Sequence, residues 1–119
     1  MASPDVLDFD QLLAPIPGDN PVGVNLREDF APDSIYRQIR ALRTVAREAE
    51  RRIVYPDEDE QRVPRGDPPK WKPILKLGPK AIAEQSKDLE IVVVLTEALL
   101  REHGYAGLRD GFRLARELV

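Results

Sequence analysis

The chain has 119 residues, 42% hydrophobic and 33% charged, with a formal net charge of −3. That length supports one domain with a true core, burying roughly two thirds of the surface its unfolded chain exposes. The acidic balance weighs against a free-standing nucleic-acid binder, a class that is usually strongly basic.

Cysteine is absent and His103 is the only histidine. Disulfide scaffolds and cysteine-based zinc sites are therefore excluded. Asp5, Asp8 and Asp10 interrupt the N-terminus, so it does not read as a signal peptide. The longest unbroken apolar run, Ile91 to Leu95, is far below the roughly 20 residues that a membrane span needs. A cytoplasmic protein with no membrane insertion is expected.

Two segments rich in proline and glycine punctuate the chain, at Pro15 to Gly23 and Pro64 to Pro69. Proline removes an amide donor and glycine opens positive φ, so both read as loops. The first predicted helix spans Asp5 to Ala14, with Val6, Phe9, Leu12 and Leu13 on one face. Ser3 or Asp5 is its expected cap and Pro15 its stop.

The second helix runs from Pro32 to about Val54, capped by Asp33 or Ser34. Ile35, Ile39, Leu42, Ala46, Ala49 and Ile53 step by three or four and form one apolar stripe. Arg37, Arg40, Arg43, Arg47 and Arg51 form a second stripe on nearly the opposite side. The acidic run Asp57 to Glu60 follows, and like charges in a run favour solvated chain, so Tyr55 to Lys70 is expected to be mobile.

A third helix is predicted from Trp71 to Gln85, kinked or restarted at Gly78-Pro79. A fourth runs from Lys87 to His103, with Ser86 as N-cap, Asp88 favouring the positive helix end and Gly104 at the C-terminal side. Its apolar residues go nearly all round, the pattern of a central buried helix. The β-branched run Ile91 to Val94 also fits a buried strand, but the segment is too long for one and no partner strand is in sight. A fifth helix begins near Gly104 to Gly107, with Leu108, Phe112, Ala115 and Val119 on one face. No stop signal follows Val119, which reads as the N-terminal fragment of a longer protein. The expectation is a single all-α domain over residues 1–119, a bundle of about five helices with two Pro/Gly-rich loops.

Enzyme chemistry has little support. His103 falls in the last turn of a helix, where a cation suits the dipole. Asp57 to Glu60 lacks the spacing and glycine of a calcium loop, and Gly18 to Pro21 lacks the lysine of a phosphate loop. The arginine stripe fits three readings: a solvated helix face that pairs with the acidic loop after it, a contact for an acidic protein surface, or a phosphate contact. Trp71, at a helix start after a proline-rich loop, reads as a lid on the core edge or as an anchor for a partner.

Several segments, in order, resemble a known family. They are Leu13 to Gly23, Leu26-Arg27, Ile35 to Ile39, Trp71, Ser86 to Leu89, Leu95 to Leu100 and Gly104 to Gly111. In this order and spacing the chain resembles the ImpA N-terminal domain, which opens the TssA-like proteins of bacterial type VI secretion systems. The pattern departs at Val22, Val24 and Asn25, where a cysteine and acidic residues are usual, and at Gly78-Pro79.

The resemblance implies an all-helical, non-enzymatic docking domain at the cytoplasmic side of the secretion apparatus. Such proteins help assemble the baseplate and the contractile sheath and tube, and their C-terminal regions typically build rings. The implied partners are baseplate, sheath, tube or membrane-complex components and the protein's own C-terminal ring-forming region. No catalytic residue, cofactor, metal or nucleic acid is implied.

Within this frame Gly18, Asp19, Asn20, Pro21, Gly23, Ser86, Asp88, Gly104 and Gly107 are expected to be architectural, and the loop at 18–23 to pack beside the Ser86-Lys87-Asp88 helix start. Arg40, Arg43, Arg47, Arg51 and Trp71 are the candidate partner contacts. The competing expectations are a helical nucleic-acid-binding module using Arg37 to Arg51, and a structural or self-association spacer.

Overall fold

The computed structural model describes residues 4–54 and 68–119. They contain four α-helices, α1 (Phe9–Leu13), α2 (Ile35–Val54), α3 (Lys72–Glu84) and α4 (Leu89–Leu118), with a 3₁₀ turn at Leu26–Glu28 between α1 and α2. The domain is all-α, and among the described residues extended pairing is confined to one antiparallel bridge between Gly23 and Ser86. The helices number four rather than five because the expected fourth and fifth run together as α4. Gly104 (φ 60°, ψ −138°) breaks the helical backbone inside it and divides α4 into two arms. That dihedral pair is open to glycine and strained for other residues. The acidic run Asp57 to Glu60 and most of the expected mobile segment lie outside the described residues.

Helix α1 is shorter than its sequence pattern. It starts at Phe9, and Asp8 caps it by accepting from the Gln11 amide at 3.2 Å. Asp5 is not the cap, because the segment ahead of Asp8 is held elsewhere: the Val6 and Leu7 amides donate to the Asp110 carboxylate in α4 at 2.6 and 3.3 Å.

Helix α2 follows its apolar period closely. Ser34 Oγ accepts from the Arg37 amide at 3.3 Å, a side-chain cap that satisfies one of the first-turn donors. Ile35, Ile39, Ala46 and Ala49 are buried and Leu42 half-buried, whereas Ile53, at the end of α2, is exposed.

Helix α3 stays continuous through Pro79 rather than restarting there. Proline removes one intrahelical bond, and the packing of Ile74, Ala81 and Ile82, all without exposure, holds the segment in place. Gly78 sits against α4, where a Cβ would come within 3.1 Å of Leu95 Cδ1. Pro73 lies in the first turn, where its missing donor costs nothing.

Helix α4 supplies the centre. Its first arm buries Ile91, Val92, Leu95, Ala98 and Leu99 against the rest of the molecule, and α3 makes the most extensive helix contact with α4. The burial is not all round: Leu89, Val93 and Leu100 face outward. In the second arm the buried residues are Gly107, Asp110, Gly111 and Leu114. The apolar face expected there is only half right: Leu108 and Ala115 are half-buried, Ala115 against the core, whereas Phe112 and Val119 are exposed. The reason is close approach. A Cβ on Gly107 would meet the Leu99 carbonyl, and a Cβ on Gly111 would meet the Thr96 side chain. These pairings run in opposite directions along the chain, so the two arms lie antiparallel with glycines at the seam.

Candidate docking surface

The loop before the 3₁₀ turn is tied to itself and to the start of α4. Ile16 N–H donates to the Pro21 carbonyl at 2.9 Å, and Gly23 N–H to the Asn20 carbonyl at 3.0 Å. Asn20 Oδ1 accepts from the Val22 amide at 3.1 Å, a local turn that asparagine favours. Gly18, at φ 115°, and Asp19 lie exposed in the turn. The loop then pairs with the approach to α4. Val24 N–H donates to the Gln85 carbonyl at 3.1 Å, and Lys87 N–H to the Val22 carbonyl at 2.9 Å. A Cβ on Gly23 would meet the Gln85 carbonyl, and Gly23 has φ 82°, so two demands fall on one position. The structure thus brings the 18–23 loop and the 86–88 segment together.

Ser86 is in that bridge, buried, and is not the N-cap of α4. Asp88 is, accepting from the Glu90 amide at 2.9 Å. Arg27 clamps the same helix end, reaching Asp88 at 3.0 Å and Glu90 at 2.6 Å. Hydrogen bonds from Arg27 to Glu90 and then Asp88 raise its pKa further above an already high value. Lys87 Nζ donates to the Leu12 carbonyl at 2.7 Å and so fixes the end of α1, and its burial lowers its pKa.

The arginine stripe of α2 is divided. Arg43 Nε donates to Glu97 of α4 at 2.7 Å, and Arg47 lies 3.8 Å from the other Glu97 oxygen. Arg51 pairs with Glu48 one turn back at 2.9 Å. The N-terminal half of the stripe has no carboxylate partner among the described residues. Arg40 makes a long 3.4 Å bond to the Tyr36 hydroxyl and stacks over its ring at 5.7 Å. Arg37 is exposed and its guanidinium makes no bond to any described residue. Arg27 lies over the same Tyr36 ring at 5.3 Å, and the Tyr36 hydroxyl donates to Glu90 at 3.1 Å. These side chains, with Asp29 and Pro32, border an open groove of about 590 Å³.

Sequence reasoning did not find Glu97, the carboxylate that takes Arg43 and Arg47, or Glu90, which holds Arg27 and Tyr36. A signal was present: seven residues apart, they share one face of α4, the face turned to α2.

Trp71 is not available to a partner as an exposed anchor. It is 2% exposed, its indole N–H donates to Glu50 at 3.0 Å, and the Arg101 guanidinium lies over its ring at 4.5 Å. Arg101 also grips Glu50 through two bonds of 3.0 and 3.1 Å. The cluster closes the core where α3 begins, beside α2 and α4. The physical reason is area: an indole is too large and apolar to leave outside when a pocket and a proton acceptor are both at hand.

Among the described residues the buried carboxylate is Asp110, with no exposure. Burial alone would raise its pKa, but hydrogen bonds from Arg109 at 2.8 Å and from the Val6 and Leu7 amides outweigh it and hold the carboxyl below its usual range. All three donors are used in holding chain to chain, which makes Asp110 architectural. Gly104 and Gly107 shape the turn and the seam of α4. His103 is exposed and borders a shallow pocket between α1, α3 and α4. Among the described residues no three His, Asp or Glu side chains converge as a metal site, and no helix is long and apolar enough to cross a membrane.

No curated protein and no solved structure matches the chain. The family described as ImpA, N-terminal, type VI secretion system matches residues 13–119. That span takes in the tied loop, all of α2, α3 and α4, and both halves of the arginine stripe. The chain therefore belongs to the ImpA N-terminal family associated with type VI secretion.

Proposed function

We propose that this domain is a non-enzymatic protein–protein docking module of a TssA-like component, and that it helps assemble the type VI secretion baseplate and contractile sheath and tube. Its partners are other secretion components and the ring-forming C-terminal region of the full-length protein, and it works at the cytoplasmic side of the apparatus. The observation that carries the reading is a guanidinium-lined surface on a rigid frame in a chain of this family. Gly18, Asp19, Asn20, Pro21, Gly23, Ser86, Asp88, Gly104 and Gly107 build the frame, and the contact surface lies on the stripe Arg40, Arg43, Arg47 and Arg51. Several copies on a ring would convert a weak single-site affinity into firm attachment through avidity.

The test is capture of partners from nuclease-treated lysate of the source bacterium by the wild-type domain and by an Arg40→Glu/Arg47→Glu variant of equal helicity. Enrichment of baseplate, sheath or tube components by the wild type, with several-fold loss in the variant, is the expected outcome. Capture of none of these components counts against docking, and equal capture by the variant removes the stripe.

A further inference from the structure

We infer that the contact point of the stripe is the end that has no carboxylate partner among the described residues, the groove around Arg37, Arg40 and Tyr36, and that it takes a short acidic peptide segment carrying one apolar side chain. This rests on the docking reading and narrows it from a helix face to one groove and one chemistry.

Three observations converge. The first is unspent charge. Arg43 and Arg47 share Glu97, and Arg51 has Glu48, so their guanidinium groups already face carboxylates. Arg37 has no side-chain partner among the described residues, and Arg40 has only the weak bond to the Tyr36 hydroxyl. A guanidinium offers five N–H donors; among the described residues nearly all of those on Arg37 and Arg40 lack an acceptor.

The second is preorganisation. Arg27, clamped by Asp88 and Glu90, lies over Tyr36, and Glu90 accepts from the Tyr36 hydroxyl. That ring in turn carries Arg40. A guanidinium held on an aromatic ring loses less freedom on binding than a free one, which raises affinity for a given contact. Arg37 and Arg40 stand three residues apart on one side of α2, a spacing that suits two carboxylates of one extended segment.

The third concerns the length and class of the ligand. The groove lining holds three guanidinium groups against one carboxylate, Asp29. Beyond it lie Glu97 and Glu48, which would face the next charges of a long polyanion. A nucleic-acid backbone repeats its charge without pause and would meet these carboxylates, whereas a peptide with two or three acidic residues fits between them. Phe30 is 78% exposed and adjoins the groove-lining Asp29 in sequence, and this is the ground for one apolar side chain in the ligand.

The probe is a capped heptapeptide with three glutamates around one leucine in a glycine background (Gly-Glu-Glu-Leu-Glu-Gly-Gly), titrated into the whole 119-residue chain at low salt and followed by NMR. A 12-base-pair DNA duplex serves as the rival polyanion. Saturable shifts centred on Arg37, Arg40 and their Nε–H signals are expected, with binding at least about tenfold weaker in Arg37→Ala/Arg40→Ala. Less than about twofold change is expected in Arg47→Ala/Arg51→Ala, and weakening as salt rises.

Shifts centred on Arg43 to Arg51, equal losses in the two variants, tighter binding of the duplex, or no saturable shift up to millimolar peptide each overturn the inference. Lysate capture separates the two readings. If the Arg37→Ala/Arg40→Ala variant still captures secretion components at the wild-type level, the groove fails while docking stands. If the wild type captures none, docking itself fails.

Discussion

Replacing Asp110 tests how the N-terminal segment is held to α4. Its carboxylate is fully buried and accepts three hydrogen bonds, from the Val6 amide at 2.6 Å, the Leu7 amide at 3.3 Å and Arg109 Nε at 2.8 Å. Arg109 also donates to the Pro4 carbonyl at 3.0 Å, so the pair grips the same segment twice. In Asp110→Ala two main-chain donors lose their acceptor. An orphaned buried amide costs about 1–3 kcal/mol, with the lower value apt for half-exposed Val6 and the higher for buried Leu7. The sum is about 4 kcal/mol, a fall in Tm of about 16 °C for a domain of this size.

Asp110→Asn keeps one carbonyl acceptor and the shape, and loses the charge facing Arg109. It should cost about 1–2 kcal/mol at neutral pH. The pH dependence has a defined sign. The carboxyl sits below its ordinary range when folded, so its charged form adds stability above the unfolded value near 3.8. That contribution is lost as pH falls through the lower folded value. The gap between wild type and Asp110→Asn should therefore be full at pH 7 and close on acidification below pH 4. Thermal unfolding followed by circular dichroism at both pH values reads it directly. An Asp110→Ala variant as stable as wild type at pH 7, or an Asp110→Asn gap that ignores pH, refutes the argument.

Two further substitutions probe the packing. Gly107→Ala would ordinarily gain about 1 kcal/mol of helix propensity. Here the new methyl meets the Leu99 carbonyl, a main-chain atom that cannot rotate aside, so a net loss of about 1–3 kcal/mol is expected from urea unfolding; a raised midpoint would contradict the glycine seam. Trp71→Ala should cost about 3–5 kcal/mol. Trp71→Phe should cost only about 1–2 kcal/mol, because Glu50 keeps both bonds from Arg101 after the indole N–H is lost. Equal losses in the two would show that the ring's bulk does not fill the core as described.

The elements with strong periods were legible before any coordinates. Helix α2 shows this best: its apolar residues recur every three or four positions, so burial of Ile35, Ile39, Ala46 and Ala49 could be read from spacing. The end of that stripe was not legible, because exposure of Ile53 depends on where the neighbouring helices stop. The tied loop was legible as a turn from its asparagine, prolines and glycines, and its place beside Lys87 from the ordered motifs. Capping was half legible. Ser86 and Asp88 are both good caps, and only the bridge from Gly23 to Ser86 assigns the role to Asp88.

The second arm of α4 was only partly legible, for a definite reason. Pattern analysis assigns apolar residues to the inside, but this arm turns Gly107, Asp110 and Gly111 inward and leaves Phe112 out. Close approach of two helical arms needs missing side chains, and a carboxylate is buried here because three donors meet it. Neither condition has a period.

By itself the amino-acid sequence determined the all-α class, the positions of the longer helices, the loop at Pro15 to Gly23 and the arginine stripe, since each follows from local propensity or helical spacing. Tertiary structure alone decided which stripe residues stay open, because Glu97 lies 54 residues from Arg43. It alone decided that Trp71 belongs to the core, because its acceptor Glu50 comes from another helix. Charges far apart in the chain neutralise one another only once folding brings them within about 4 Å, and that distance is set by the packing of α2 on α4.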